Sequence, residues 1–145
     1  MATEALSFGS IYFSTPAMTT LTGTTPAKAA GTTTTMQLGD FLHPSNNRLT
    51  YDGVTTRIFE VLFTGSAQKG SGGSADTFYY LYKDGVLIPG ATVSRKIPNV
   101  GDEGAFGILA QVTLASGSYV ELWLSTENGD DLQIDYGVLT AKVLG

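Results

Sequence analysis

The 145-residue chain is 42% hydrophobic but only 14% charged, with 18 glycines, no cysteine and a net charge of −5. Ordinary soluble domains carry about 25% charged residues; here Thr, Ser and Gly replace Lys and Glu, which suits pleated strands and tight turns and predicts an all-β protein. Eight scattered cations argue against a nucleic-acid surface, the lack of Cys excludes disulfides and thiolate metal sites, and no apolar run reaches the ~18 residues that would span a membrane.

In chain order, Met1–Ser10 holds Glu4 and no basic stretch followed by an apolar run, so no cleaved secretory signal is expected. Glu4–Phe13 reads as a first strand, stopped by Pro16. The segment Thr15–Thr35 is rich in Thr, Ala and Gly. It reads either as a flexible arm or, over Thr32–Leu38, as an edge strand. Residues 1–35 are accordingly taken as an N-terminal strand and arm, and 36–145 as the body of one domain. Arg57–Thr64 is a strand with Phe59, Val61 and Phe63 on one face and Ile58, Glu60 and Leu62 on the other. Gly65–Ser74 is expected to be a flexible loop.

Thr77–Lys83 and Val86–Ser94 flank Asp84-Gly85, a strong hairpin signal, and Pro89-Gly90 should break or bulge the returning strand. Phe106–Leu114 alternates, with Ile108, Ala110, Val112 and Leu114 on one side. Ser116-Gly117 then turns the chain into Tyr119–Thr126, where Val120, Leu122 and Leu124 point inward. Asn128-Gly129 leads into Leu132–Val143. There the apolar face switches beside Gly137, from Leu132, Ile134, Tyr136 and Val138 to Leu139, Ala141 and Val143. Either a bulge re-aims the strand or both its faces are buried, and the second case requires a neighbouring subunit. Eight to ten strands suffice for a two-sheet antiparallel sandwich with jelly-roll or Greek-key connections.

The side chains offer little catalytic chemistry. His43 is the lone histidine, in a Leu42-His43-Pro44 loop context with no Gly-x-Ser-x-Gly elbow, so no catalytic residue is assigned. One His and no Cys cannot hold zinc, and no metal or cofactor site is predicted. Glu127–Asp131 and Gly101–Gly104 gather oxygen ligands but read as turns, without calcium-loop spacing. Lys69-Gly70 precedes no helix, so the Gly-rich segment is not a phosphate loop. The aromatic residues Phe78, Tyr79, Tyr80 and Tyr82 crowd one strand and Trp123 another; part of this set belongs to the core and the rest to an outer face suited to an interface or to stacking on carbohydrate.

Four segments carry a resemblance: Gly9-Ser10-Ile11-Tyr12, Lys28-Ala29-Ala30-Gly31-Thr32-Thr33, Asn47-Arg48-Leu49-Thr50-Tyr51-Asp52-Gly53 and Arg57-Ile58-Phe59-Glu60-Val61. With Tyr82-Lys83-Asp84-Gly85-Val86 and Ser116-Gly117-Ser118-Tyr119-Val120-Glu121-Leu122-Trp123, the chain resembles bacteriophage structural proteins with a tumour-necrosis-factor/C1q-like jelly roll. Asp84 and Ser118 depart from the family's usual Asn and Asp. The resemblance implies a non-enzymatic homotrimer displayed on a virion, made in the host cytoplasm without a signal peptide. A capsid decoration or cement protein, bound to the major capsid protein and stabilising the head, is the leading expectation. The alternative is a head-fibre or tail-tip domain that binds a host receptor or glycan; a non-viral C1q-like adhesin ranks third.

Self-association is expected to use Phe78, Tyr80, Tyr82 and Trp123 together with Leu139, Ala141 and Val143. Ile11, Tyr12 and Phe13, in the arm Ala2–Thr35, are expected to attach the protein to its partner by adding a strand to a neighbouring sheet edge.

Overall fold

A computed structural model describes residues 6–145. Twelve strands are present among them: β1 (Phe8–Pro16), β2 (Met18–Thr19), β3 (Ala27–Lys28), β4 (Gly31–Gly39), β5 (Phe41–Leu42), β6 (Leu49–Tyr51), β7 (Arg57–Lys69), β8 (Ala75–Lys83), β9 (Val86–Ile97), β10 (Glu103–Leu114), β11 (Tyr119–Thr126) and β12 (Leu132–Val143). The first sheet runs β10-β7-β12-β1-β4, with β2 also on β12. The second runs β5-β6-β11-β8-β9, with β3 also on β11. Every recorded pairing is antiparallel. The fold is the expected all-β, two-sheet jelly-roll sandwich.

Period-2 alternation builds the core between the sheets. Phe59, Val61 and Phe63 of β7 and Val120, Leu122 and Leu124 of β11 are fully buried. Aromatic rings close both ends of this layer. Phe41, Tyr51 and Phe59 meet at centroid distances of 4.8–5.4 Å at one end. At the other, Phe63 lies 5.9 Å from Phe13 and 5.3 Å from Phe106, which stacks on Tyr79. Such pairs add about 0.5–1.5 kcal/mol each beyond their buried area. Burial, only partly offset by a hydrogen bond with Thr77 and by the Arg95 charge, pushes the Tyr79 hydroxyl up to about 12.

The Asp84-Gly85 hairpin is present, with φ of 52° and 80° at its two central residues, as a type I′ turn requires. Opposite Pro89-Gly90 the β8–β9 register slips between Tyr80 and Tyr82, so the expected bulge is there too. On β12 the ladder slips between Ile134 and Tyr136, which makes Asp135 the extra residue. That bulge explains the switch of face: Leu132, Ile134, Leu139 and Ala141 all point inward and are fully buried, while Tyr136 is exposed. One-faced burial therefore accounts for β12, and its sequence does not by itself require a neighbour.

Two expectations are corrected. The stretch 65–69 is not a loop but continues β7 to the buried Lys69, leaving only 70–74 as the connection. Gly65 and Gly137 face each other across β7 and β12, and a Cβ on Gly137 would stand 2.2 Å from Phe63 Cζ. Glycine here makes room for a ring rather than for motion. Of the two readings of Thr15–Thr35, the edge strand is the one present: β4 forms the sheet edge, and Leu21 and Ala29 are buried. Residue 35 lies inside β4, so no boundary separates 1–35 from 36–145. Of the predicted first strand, Glu4 and Ala5 lie outside the described residues.

Candidate interaction surfaces

The outward face of the first sheet is assembled by register. Leu109 of β10 sits beside Leu62 of β7, which sits beside Thr140 of β12 and then Ser10 of β1. The adjacent row is Gly107, Thr64, Val138, Tyr12 and Thr34. These two rows are free of charge and mix apolar side chains with hydroxyls. Leu109 is 57% exposed and Tyr136, in the next row, 70%. Below them, Glu60 and Lys142 face each other at 3.7 Å, with the lysine open to solvent. Uncharged rows that carry large exposed apolar groups have the composition of an interface core.

At the far end of this face the β12 bulge opens a depression of about 380 Å³ lined by Ser14, Gln68, Glu103, Asp135 and Tyr136, among others. Glu103 and Gln68 are register partners, and Gln133 extends the row. Asp135 is only 8% exposed. Its Oδ1 accepts a 2.7 Å hydrogen bond from Gln133 Nε2, while its buried Oδ2 accepts none from any N–H or hydroxyl group. Hydrogen bonding to Asp135, reinforced by that carboxylate's charge, holds the Glu103 carboxyl above the ordinary range.

The outward face of the second sheet is built differently. Trp123 stacks on Tyr82 at 4.2 Å and 2° between planes, and Tyr80 meets Tyr82 edge-on at 6.2 Å. Burial, with Tyr80 as a lesser cause, raises the Tyr82 hydroxyl above its usual range. Tyr80 Oη shares a 2.6 Å hydrogen bond with Ser125. Beside the rings lies Glu121, whose side chain is 2% exposed although it sits on the outer face. Its carboxylate contacts Lys28 Nζ at 3.0 Å, Arg48 Nε at 2.7 Å and Trp123 Nε1 at 3.1 Å. Desolvation works to raise this carboxyl, but the hydrogen bonds from Lys28, Arg48 and Trp123 together outweigh it, and the group is held below the ordinary range. Arg48 also lies over the Tyr119 ring at 3.9 Å. The Glu121 carboxylate, the Trp123 indole N–H and the Tyr80 hydroxyl on this face all have partners within the protomer.

The predicted interface residues divide between these settings. Phe78, Tyr80, Tyr82 and Trp123 do share the outward face of the second sheet and are all half-buried, the last three packed on one another. Tyr12 is on the outward face of the first. Ile11, Phe13, Leu139 and Ala141, by contrast, are core residues, and Val143 packs against the core from its edge. The first four cannot reach a partner without opening the sandwich. Strand β1 has β12 on one side and β4 on the other, so it has no free edge to add to a neighbour.

Other polar groups act as internal ties. His43 bridges the hydroxyls of Thr33 (2.7 Å) and Thr35 (3.0 Å), and burial lowers its pKa. Asp130 accepts from the buried Lys69 Nζ at 2.8 Å, the same amine donating to the Gly73 carbonyl, and Asp131 accepts from the Leu21 amide. The acidic turn is thus bound to its neighbouring loops. Asn47, fully buried, holds the Leu122 backbone through both ends of its amide and also donates to the Ala29 carbonyl. Asn47, Glu121 and Asp135 were not singled out as site residues in the sequence, because each owes its role to partners scores of residues away or to a bulge.

Neither a family model nor a curated protein matches the chain. Solved structures do. The chain is similar to an Eiger tumour necrosis factor from S. frugiperda, with a TM-score of 0.66 and 6% identity over 98% of this chain and 94% of that one. Murine APRIL aligns at 0.62 and 8%, covering 97% and 100%. The globular domain of a zebrafish complement 1qA protein aligns at 0.53 and 12%, covering 97% and 98%. At these identities the likeness is one of fold: a tumour-necrosis-factor/C1q-like jelly roll.

Proposed function

We propose that this protein is a non-enzymatic, self-associating structural subunit of a bacteriophage virion, a capsid decoration or cement protein that binds the major capsid protein as a homotrimer. The observation that carries self-association is the uncharged outward face around Leu62, Leu109, Val138 and Tyr12, on which Leu109 and Tyr12 stand exposed among the described residues. A cyclic trimer would bury this patch against a second patch on the next copy and close on itself. The virion assignment and the three-fold symmetry rest on the sequence resemblance and agree with the jelly-roll architecture. The described side chains favour a packing role over chemistry, since the lone His43 clamps two threonines.

A glycan-binding head-fibre or tail-tip domain is the second reading, favoured by the Trp123–Tyr82 platform on the opposite face. Light scattering on the purified protein should give three times the 15.2 kDa protomer mass, and purified particles should carry the protein in the high copy number of a lattice component. A monomer at tens of micromolar concentration overturns the trimer. Absence from particles overturns the virion role, and a few copies per particle favours the tip reading.

A further inference from the structure

We propose that the depression at the β12 bulge is a binding site for a divalent cation of calcium's class, held by the carboxylates of Asp135 and Glu103 with neutral oxygens from Gln68 and Ser14 around them. The bulge pushes Asp135 out of the ladder, and the fold then encloses it. Its Oδ1 is satisfied by Gln133 and its buried Oδ2 has no N–H or alcohol donor, while the residue itself lines the depression. A buried carboxylate oxygen with no donor is costly, by roughly 1–3 kcal/mol or more. No lysine or arginine compensates, since neither Asp135 nor Glu103 forms an ion pair among the described residues. The nearest charged group is instead a second carboxylate, Glu103, within hydrogen-bonding reach.

Two carboxylates this close repel unless a proton or a cation is shared between them; a shared proton accounts for the raised Glu103 carboxyl, and the surrounding groups decide which cation can replace it. Every polar side chain lining the depression offers an oxygen, whether carboxylate, amide carbonyl or hydroxyl, and none offers sulfur or imidazole. That is the preference of a hard cation. About 380 Å³ leaves room for the ion and several waters, which suits the loose, high-coordination shell of calcium better than the tight octahedron of magnesium. Two carboxylates are few for a calcium site, so affinity should fall in the weak range typical of extracellular modules, about 10⁻⁴–10⁻³ M. All of these groups belong to one protomer, so the site needs no second copy to form, although Tyr136 is shared with the open face of the first sheet.

Tyr136 lines the same depression and provides the probe. Terbium added to the full-length protein should show tyrosine-sensitised emission that calcium displaces over the same concentration range. Emission should disappear in Asp135→Asn and require at least about tenfold more terbium in Glu103→Gln, a substitution at an exposed position that leaves the core untouched. In Tyr136→Phe the emission should fall while the calcium-induced rise in Tm persists. Emission that survives both carboxylate substitutions, or no calcium-induced Tm rise at about ten times the expected dissociation constant, overturns the proposal. The same titration on Leu109→Lys separates it from trimer formation: a monomer that still binds the ion upholds the site, and loss of binding on dissociation overturns the claim that one protomer builds it.

Discussion

The two outward faces of this sandwich come from the same alternating pattern yet end in opposite states. On the second sheet the aromatic side chains stack on each other, and a nearly inaccessible glutamate gathers two cations and an indole N–H around itself. That face is finished within the protomer. On the first sheet Leu109 and Tyr136 stand open amid threonines and serines, with one exposed ion pair at the margin. The richer aromatic content attracts attention in the sequence, but exposure rather than ring count marks the surface with something left to bury. A ring already stacked gains less from a partner than an isolated leucine in water does.

The largest expected effect breaks the comparison from the open side. Leu109→Lys combined with Tyr136→Ser should abolish self-association, taking the mass by light scattering from a trimer to 15.2 kDa, while the far-ultraviolet circular dichroism stays that of a folded β protein. A trimer that persists would move the interface elsewhere. On the closed side, Trp123→Ala removes the stack on Tyr82 and the hydrogen bond to Glu121. We expect it to cost about 2 kcal/mol of protomer stability, less than a fully buried Trp→Ala change, and to leave assembly intact. Urea unfolding in the Leu109→Lys background isolates the protomer term, and a change below about 0.5 kcal/mol would show that this face is not self-supporting.

The smallest effect is a pH dependence. Glu121 has a folded pKa below its unfolded value, so its contribution is fully present above the unfolded glutamate pKa of about 4.3 and fades as pH falls through the lower folded value. Comparing urea midpoints of wild type and Glu121→Gln from pH 6 down to pH 3 should show the two curves converging towards acid. Parallel curves would mean that the Lys28 and Arg48 contacts contribute nothing measurable.

Much of the architecture was legible because it is locally encoded. The alternation of β7, β10 and β11 and the Asp84-Gly85 and Asn128-Gly129 turns depend on neighbours in sequence. The surfaces were less legible because facing direction depends on partners far away. Ile11, Tyr12 and Phe13 are all apolar, and only the packing of β1 between β12 and β4 decides that Tyr12 alone looks outward. On β12 the switch of face was visible beside Gly137, but the alternatives of bulge and double burial could be separated only by the ladder slip at Asp135. The Glu121 cluster joins residues 28, 48 and 121 through β3, β6 and β11. No spacing in the sequence could have announced it.

The facing glycines on β7 and β12 also constrain how this sequence can drift. A Cβ at Gly65 would collide with the Tyr136 carbonyl oxygen at 2.3 Å, an obstacle made of backbone that no other substitution can clear. At Gly137 the nearest atoms are all from the Phe63 ring. Alanine there is forbidden while the phenylalanine remains and becomes admissible once residue 63 is smaller. Gly65 is thus fixed by the fold itself, whereas Gly137 is fixed by one neighbour. Descendants of this chain can lose the second glycine only in a set order, ring first.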